Sequence, residues 1–458
     1  MNGSSEASEP SEESGRRPET SDSAPLGARS AGERVVDDDV YREAVAVPAV
    51  EIGSLAEAVR NATATAQDMR APSVELPENP SEAKSMAARY SGRIGGLDIA
   101  RALAIFGMFY AHVGPEVERS GIGSFLDSLP EGRSSILFAV LAGVSLSILT
   151  GRNVPYRGER MRSARLRIFG RSATLLAIAG PLSVLGVPVA IILGCYAAWF
   201  IASLPMTRWG ARRLFATAGG LALAGPVVLN VALWLMENFH LWPSDDANGF
   251  TVDVFLTGMY PGVVYMAYVV AGMGIGRLDL ASKAVQGRLV VIGSCLMLLG
   301  YGSAWIVGRL FSQTLALAPS QGDFDPDLEG IQPWLGLPFP SLHSWVGAGA
   351  HTHTIFEAVG SGGFCIAFLG ICLLIGRLSR NVLYPLAAVG TMSLTAYSAH
   401  VVAIAFNLDW NYTQSWFPIL ALVIGSLVLC TAWKSVSTRG PLEWLMWKVS
   451  LLVARVPE

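Results

Sequence analysis

Residues 97–113 read LDIARALAIFGMFYAHV, a stretch in which two charged side chains interrupt an otherwise apolar run. Apolar and polar residues do not alternate with a period of two, so the pattern favours a helix over a strand. The run is close to the roughly 20 residues that an α-helix needs to cross a bilayer. Because lipid offers the backbone no hydrogen-bond partner, a spanning segment has to satisfy its own amide groups, as a helix does.

Similar apolar stretches recur along the chain, and the composition agrees with them. The chain has 458 residues, of which 52% are hydrophobic and 15% charged, with a mean hydropathy of +0.43. Soluble globular proteins carry about 25% charged residues. We therefore predict an all-α, polytopic membrane helix bundle of about ten transmembrane helices. The predicted spans are 97–113, 133–150, 165–182, 184–204, 212–235, 255–275, 287–311, 356–377, 383–406 and 414–436.

The N-terminal region differs from this body in composition. Residues 1–95 carry 10 basic and 17 acidic side chains, whereas residues 96–458 carry 23 and 19. A polar, acidic segment with few aromatic residues buries too little apolar surface to offset the entropy of ordering it. We predict a disordered cytoplasmic tail over 1–92, a transmembrane domain over 93–447 and a short cytoplasmic tail over 448–458. The start of the chain shows no apolar segment typical of a cleavable signal peptide.

The charges between the apolar stretches predict the orientation. Basic residues are enriched in cytoplasmic loops, and alternate loops of the body are basic, beginning with 151–167 and 205–213. The intervening loops are acidic or mixed. The alternation predicts a multi-pass protein of the plasma membrane with both termini in the cytoplasm. All six histidines then fall in the outer half: His112, His240, His343, His351, His353 and His400.

Two polar features of the first predicted helix are candidates for chemistry. Asp98 and Arg101 stand three residues apart on one helical face, where they can pair. The pair is either an interfacial anchor or an anion-binding face near the cytoplasmic entrance. His112 lies roughly 16 Å beyond Arg101 along the axis, at about 1.5 Å per residue. Its imidazole is either a polar anchor or a general base.

A second polar cluster precedes the eighth predicted helix. The stretch AHTHTIFE at 350–357 places His353 and Glu357 four residues apart, on one face if the segment is helical. H-x-H spacing raises the alternative of a metal site, but no cysteine or clear third ligand accompanies it, and we predict none. The five cysteines lie in apolar runs and are interpreted as buried apolar residues.

The segment RIGGLDIARA at 93–102, followed by His112, resembles the opening of the transmembrane acyltransferase superfamily. That superfamily includes the heparan-alpha-glucosaminide N-acetyltransferase-like proteins and the acyltransferase family 3 proteins. Its usual opening is R-x-x-x-L-D-x-x-R-G, and Ala102 replaces the glycine here. Further segments resemble bacterial YeiB-like members, whose function is unknown: GRSSILFAVLAGVS at 132–145, TGMYP at 257–261, GMGIGRLD at 272–279, PLAAVGTMSLTAY at 385–397 and RGPLEW at 439–444. The G-D-I-L segment of typical YeiB-like proteins is absent, and GVPVA at 186–190 stands in that region.

The resemblance implies an acyltransferase that moves an acyl group, with acetyl the first candidate, from cytoplasmic acyl-CoA to a hydroxyl or amine at the outer face. The acceptor would be a cell-envelope glycan or lipid, and no cofactor would be permanently bound. The implied catalytic residues are His112, His351 and Glu357. The implied contacts to acetyl-CoA or another acyl-CoA donor are Arg93, Asp98, Arg101 and Arg152. The implied acceptor contacts are Arg133, Tyr260, His353, Tyr397 and His400.

Two other functions stay open at this point. A multi-pass transporter or flippase also suits several helices with a charged pair inside the membrane, and a scaffold without activity is a third reading. The expected partners are the lipid bilayer, acyl-CoA and the envelope acceptor, with a homodimer left open and no nucleic acid.

Overall fold

The structure is a computed structural model that describes residues 94–115, 130–241, 247–310, 343–408, 410 and 415–455. These residues form helices joined by turns, and no strand occurs among them. The all-α prediction is therefore confirmed. The predicted tail over 1–92 and the predicted donor contact Arg93 lie outside the described residues.

All but the last of the longer helices lie in the predicted apolar stretches, in order. They are α1 (Gly95–Val113), α2 (Arg133–Leu149), α3 (Gly158–Val184), α4 (Leu193–Ala202), α5 (Ala211–Asn238), α6 (Gly262–Gly276), α7 (Lys283–Leu310), α8 (Ile355–Leu374), α9 (Tyr384–Thr391), α10 (Ser393–Ala405), α11 (Phe417–Val436) and α12 (Pro441–Ala454). Shorter pieces lie between them: the 3-10 helices Leu204–Arg208 and Gly376–Arg380, the helix Ala247–Val252 with its π-helical continuation Asp253–Thr257, and the helix His343–Val346.

Several of these helices are long and apolar enough to cross a membrane, so the chain is a polytopic membrane protein. Five meet the length and composition of a span: α1, α5, α7, α8 and α11. Two bent pairs raise the number to seven, namely Gly249–Thr257 with α6, bent by 66°, and α9 with α10, bent by 83°. The other three predicted spans correspond to α2, α3 and α4. Of these, α2 and α4 are apolar but have only 17 and 10 residues.

The third and fourth predicted spans differ most from the structure. α3 begins at Gly158 rather than at 165, so residues 158–167 are helical and not the loop that we predicted. Arginine is a good helix former, and Glu159 lies 3.8 Å from Arg162 one turn on, which favours this extension. α4 is short because Gly186, whose φ is +64°, and Pro188 interrupt the helix before it.

Glycines let neighbouring helices pack with their backbones in contact. A Cβ atom on Gly143 of α2 would lie 1.9 Å from the Val269 carbonyl oxygen of α6. On the other side of this contact, a Cβ on Gly272 would lie 2.0 Å from the Val140 carbonyl oxygen. Such close backbone contact is expected for small residues at helix interfaces in membranes.

The helix α1 lies at the centre of the elements that carry the candidate site. It contacts α2, α8, α9, α10 and α11, and its approach to α9 is close: a Cβ on Gly390 would lie 1.7 Å from the Asp98 carbonyl oxygen. At the C-terminal end, α12 packs on α3 and continues to Ala454. The domain boundary predicted at 447 therefore lies inside a helix.

Candidate functional site

Two histidines from distant parts of the chain meet at the end of α1. His112 Nδ1 lies 3.1 Å from His400 Nε2 of α10. The two imidazole rings are nearly parallel, with an angle of 5° between their planes and 5.3 Å between their centroids. His400 is only 1% exposed, whereas His112 is partly buried. The sequence predicted both residues as site residues, and the structure brings them into contact.

The hydrogen bonds fix which nitrogen of each ring carries the proton. His400 Nδ1 contacts the carbonyl oxygen of Tyr397, and since that oxygen can only accept, Nδ1 is the donor. A buried imidazole beside a second imidazole is neutral, because burial disfavours the charged form. The other nitrogen of His400, Nε2, is then an acceptor, and His112 Nδ1 donates to it. In this tautomer the Nε2 of His112 carries a lone pair and no proton, the form that a general base needs.

Aromatic side chains enclose this histidine pair. The ring centroid of Phe109 lies 4.8 Å from that of His400, and the ring of Tyr397 lies 5.0 Å away. The Tyr397 hydroxyl accepts a hydrogen bond of 3.3 Å from the Ile192 backbone N–H, just before α4. Tyr397 also lies near Tyr260. Two predicted acceptor contacts, Tyr397 and Tyr260, therefore lie on neighbouring parts of the site.

The second predicted cluster is a turn held by Glu357. The carboxylate accepts hydrogen bonds from the backbone N–H groups of His351, at 2.9 Å, and His353, at 2.5 Å. Both histidines have φ values in the left-handed region, +60° and +53°. The helix α8 begins only at Ile355, with Thr354 as its N-cap. The condition for placing His353 and Glu357 on one helical face is therefore not met, because His353 precedes the helix.

The turn presents two imidazoles to the tyrosines of the bundle. The His351 ring lies 5.9 Å from that of Tyr260, and the His353 ring lies 6.2 Å from that of Tyr265. Burial, together with the smaller effect of the neighbouring His351, lowers the pKa of His353 to about 4. Burial also lowers the pKa of His351, although a hydrogen bond to the backbone of Met259 works in the opposite direction. Both rings are therefore neutral at pH 7 and able to accept or donate.

Arg133 is held in an aromatic environment beside this turn. Its Nε donates to the Tyr301 hydroxyl at 2.9 Å, and its guanidinium carbon lies 5.2 Å from the Tyr301 ring centroid and 5.7 Å from that of Phe364. Its positive charge also acts on the Glu357 carboxylate. A cation fixed in this way can orient a polar ligand or stabilise negative charge.

The predicted pair at the other end of α1 is formed. Arg101 Nη1 lies 2.8 Å from Asp98 Oδ1, and Arg101 Nη2 donates to the Ser145 hydroxyl of α2 at 3.0 Å. Two arginines of α3, Arg167 and Arg171, add positive charge here, since the charges of Arg101 and Arg167 both act on Arg171. The Nε atoms of Arg167 and Arg171 are buried without a hydrogen-bond partner in the part of the chain that the structure describes. Buried cations of this kind stabilise a bound anion, which relieves their mutual repulsion.

Arg152 lies elsewhere, beside Arg277. Arg277 donates to the carbonyl oxygens of Ser147, Arg152 and Thr207, at 3.2, 2.7 and 2.5 Å, and to the Thr150 hydroxyl at 2.9 Å. It thereby ties the end of α2 to the 3-10 helix that follows α4.

Sequence reasoning missed Arg167 and Arg171 as parts of the inner cluster. A signal was present, because both fall inside a predicted span, where a charged side chain costs about 2.5–3.5 kcal/mol. It also missed Arg277, which it treated as one more basic loop residue, and Glu443, which it knew only as part of a motif. The contacts of Arg277 and Glu443 join segments far apart in sequence, and no local pattern indicates them.

Comparison with known proteins adds a family match. Residues 335–452 match the model of a family described as a protein of unknown function (DUF418). The matched region contains His351, His353, Glu357, Tyr397 and His400, but not α1. No curated protein matches the chain.

Proposed function

We propose that this protein is an integral membrane acyltransferase that moves an acyl group from cytoplasmic acyl-CoA to a hydroxyl or amine at the outer face. The observation that carries the proposal is the contact of His112 with His400, which leaves His112 Nε2 as a base. An imidazole held by a second hydrogen-bonding group is the usual arrangement for general-base catalysis. The resemblance of 93–112 to the acyltransferase superfamily supports the same function.

The reaction assigns one role to each nitrogen of His112. Nε2 takes the proton of the acceptor hydroxyl or amine as that atom attacks the thioester carbonyl. The carbon–sulfur bond then breaks, the acyl group stays on the acceptor, and the imidazolium returns its proton to the departing CoA thiolate. His112 Nδ1 donates to His400 throughout, and His400 donates to the Tyr397 carbonyl oxygen. The two bonds keep the catalytic ring in one orientation and one tautomer.

The proposed binding site for the acyl-CoA donor consists of Arg101, Arg167 and Arg171. CoA carries phosphate groups that need several cationic donors, and Arg101, Arg167 and Arg171 bring positive charge to one region. The buried Nε atoms of Arg167 and Arg171 supply donors for such oxygens. In this proposal Asp98 orients Arg101 and does not itself contact the phosphates, because a carboxylate repels them.

The proposed binding site for the acyl acceptor lies at the turn that Glu357 holds. Both carboxylate oxygens of Glu357 accept backbone hydrogen bonds, so we assign Glu357 to holding the turn and not to proton transfer. The rings of His351 and His353, together with Tyr260 and Arg133, are then the groups that bind the acceptor. Aromatic rings with interspersed hydrogen-bonding groups fit a polar, ring-shaped acceptor such as a glycan of the cell envelope.

The test is acyl transfer by the purified full-length protein in lipid vesicles, with labelled acetyl-CoA and cell-envelope extract as acceptor. We expect His112→Ala to lower the rate by about 10²–10⁴-fold, the usual contribution of a general base. His400→Ala should also lower the rate, with most of the change in kcat. His240→Asn is the matched control, because His240 is an exposed histidine with φ of +52°, which asparagine tolerates. Full acyl transfer by His112→Ala contradicts the proposal.

The second candidate function is transport of a substrate across the membrane. It is favoured by the two bent helix pairs, since discontinuous helices near the middle of the membrane are frequent in transporters. A vesicle assay separates the two functions: flux of a labelled envelope precursor without label transfer from acetyl-CoA indicates transport, and label transfer that depends on His112 indicates the enzyme.

A further inference from the structure

The break between α9 and α10 leaves two helix ends inside the bundle. α9 ends at Thr391 and α10 begins at Ser393, with only Met392 between them and an 83° turn of the axis. Thr391 and Met392 are 6% and 2% exposed, so water has little access to the break. The first N–H groups of a helix lack intrahelical acceptors, and leaving them unpaired away from water costs free energy. The break therefore needs acceptors from another part of the chain.

Glu443 of α12 supplies these acceptors. Its Oε1 accepts from the backbone N–H groups of Leu394, at 2.7 Å, and Thr395, at 3.1 Å. Its Oε2 accepts from the Thr395 hydroxyl at 2.6 Å, and this hydroxyl in turn accepts from the Leu442 N–H at 3.2 Å. One carboxylate thus caps the first turn of α10 from a helix that lies 48 residues later.

The charges on the two sides of the break complement the helix ends. The N-terminus of α10 carries a partial positive charge, which the Glu443 carboxylate meets. The C-terminus of α9 carries a partial negative charge, and the Lys434 ammonium of α11 reaches the Thr391 hydroxyl there at 3.1 Å. Gly440 permits the close approach, because a Cβ at this position would lie 2.2 Å from Glu443 Oε2 and 2.8 Å from Met392 Cγ.

The capped helix carries two residues of the proposed site. Tyr397 lies about one turn after Ser393, and His400 about two turns after it, at about 3.6 residues per turn. Both residues are 1% exposed; His400 contacts the ring of His112, and the Tyr397 carbonyl oxygen accepts from His400. A rotation or shift of α10 moves the His400 Nε2 atom away from His112 Nδ1.

We propose that Glu443 is a positioning residue: by capping α10 across the break, it holds His400 against His112. The catalytic consequence rests on the proposed function, whereas the placement of His400 does not. The experiment therefore measures how accessible His400 is to a reagent, in addition to acyl transfer.

The direct measurement is the rate at which diethyl pyrocarbonate modifies each histidine of the full-length protein in vesicles, resolved by mass spectrometry. In the unchanged protein, burial should protect His400. We expect Glu443→Ala to raise the modification rate of His400 by about tenfold, as when a local opening becomes easier. Glu443→Gln should stay near the unchanged protein, because its amide oxygen still accepts from both backbone N–H groups. Glu159→Ala is the control, since the Glu159 side chain is 88% exposed.

A second variant keeps the proposal testable if Glu443→Ala does not fold. Thr395→Val removes the hydroxyl that joins Glu443 to Leu442 but leaves the backbone of α10 intact, and it should raise His400 modification by a smaller factor. If His400 stays as protected as in the unchanged protein in both Thr395→Val and any folded Glu443→Ala, the proposal is overturned.

Measuring acyl transfer as well distinguishes the positioning role of Glu443 from the proposed function. Where the unchanged protein transfers acyl groups, Glu443→Ala should lower kcat with little change in KM and should alter the pH profile set by His112. If Glu443→Ala exposes His400 but the unchanged protein transfers no acyl group, the positioning role is supported and the proposed enzyme is contradicted. Loss of transfer with full His400 protection overturns the positioning role alone.

Discussion

His400 and His353 show two ways in which the protein uses a neutral histidine. His400 is enclosed, and its two ring nitrogens are committed to His112 and to the Tyr397 carbonyl oxygen. His353 instead belongs to a turn, and the bond from its backbone N–H to Glu357 anchors it while its ring faces Tyr265. The first arrangement determines which nitrogen of His112 carries a proton. The second directs the His353 ring to the interior of the bundle.

The turn that contains His351 and His353 should make the protein less stable in acid. The pKa of His353 is lowered to about 4 in the folded protein and is about 6.5 in the unfolded chain. Between these values the unfolded chain binds a proton that the folded protein does not, so stability falls as the pH decreases from 6.5 to 4. The full shift corresponds to about 3 kcal/mol, and the lowered pKa of His351 acts in the same direction.

The measurement is the thermal unfolding midpoint in detergent at several pH values. His353→Asn removes the titrating group and keeps a residue that tolerates the left-handed φ of +53°. This variant should lose part of the decrease between pH 6.5 and 4. A midpoint that is the same at pH 6.5 and pH 4 in the unchanged protein contradicts the expectation.

Helix pairs in this protein depend on where their glycines lie. On α7, a Cβ at Gly300 would lie 2.2 Å from the Gly360 backbone nitrogen of α8, whereas a Cβ at Gly302 meets nothing within 4 Å. The two glycines are two residues apart, so they face different directions on one helix. Only the first lies in the contact between α7 and α8.

Alanine substitution should separate these two glycines. We expect Gly300→Ala to force the helices apart and to lower the unfolding free energy by about 1–3 kcal/mol, as overpacking does. Gly302→Ala should be neutral or stabilising, because alanine favours the helix by up to about 1 kcal/mol. Thermal unfolding of both variants in the same detergent is the measurement. Equal effects of the two substitutions would show that the contact at Gly300 does not limit the packing.

The sequence predicts the elements better than their ends and their contacts. Long apolar runs locate α1, α5, α7, α8 and α11, because a spanning helix needs length and composition that local residues supply. The break at Met392 escapes this reasoning, since Met392 itself is neither proline nor glycine and its cap, Glu443, comes from another helix. For the site, His112 is found from its own helix, but its contact with His400 depends on how α1 and α10 pack.

At the scale of the whole molecule, the arrangement separates two kinds of polar side chain along α1. Arg101, with Arg167 and Arg171 near it, lies beside Asp98 near the start of the helix, and the imidazole of His400 lies against His112 near its end. About 14 residues of helix at 1.5 Å per residue separate these positions. This separation fits the proposed function, in which an anionic donor would bind at one end of the helix and a base would act at the other.

The orientation that the loop charges predict has a direct test. Both termini should lie in the cytoplasm, so a cysteine-reactive, membrane-impermeant label should not reach a cysteine added after Glu458 in intact cells. An added cysteine at exposed His240, at the predicted outer face, should react. Labelling of the C-terminal cysteine with protection of the one at 240 would reverse the orientation and place the arginine cluster outside.

The hydrogen bonds of Arg277 carry a consequence for the order in which the chain assembles. The carbonyl oxygens of Ser147, Arg152 and Thr207 accept from this one guanidinium, yet they emerge from the ribosome long before residue 277 is made. Until α6 is synthesised and brought beside α2, these three oxygens lack the donor that joins them. The end of α2 and the 3-10 helix after α4 therefore reach their final arrangement late, and a nascent chain that stops before residue 277 holds them open for chaperones and proteases to recognise.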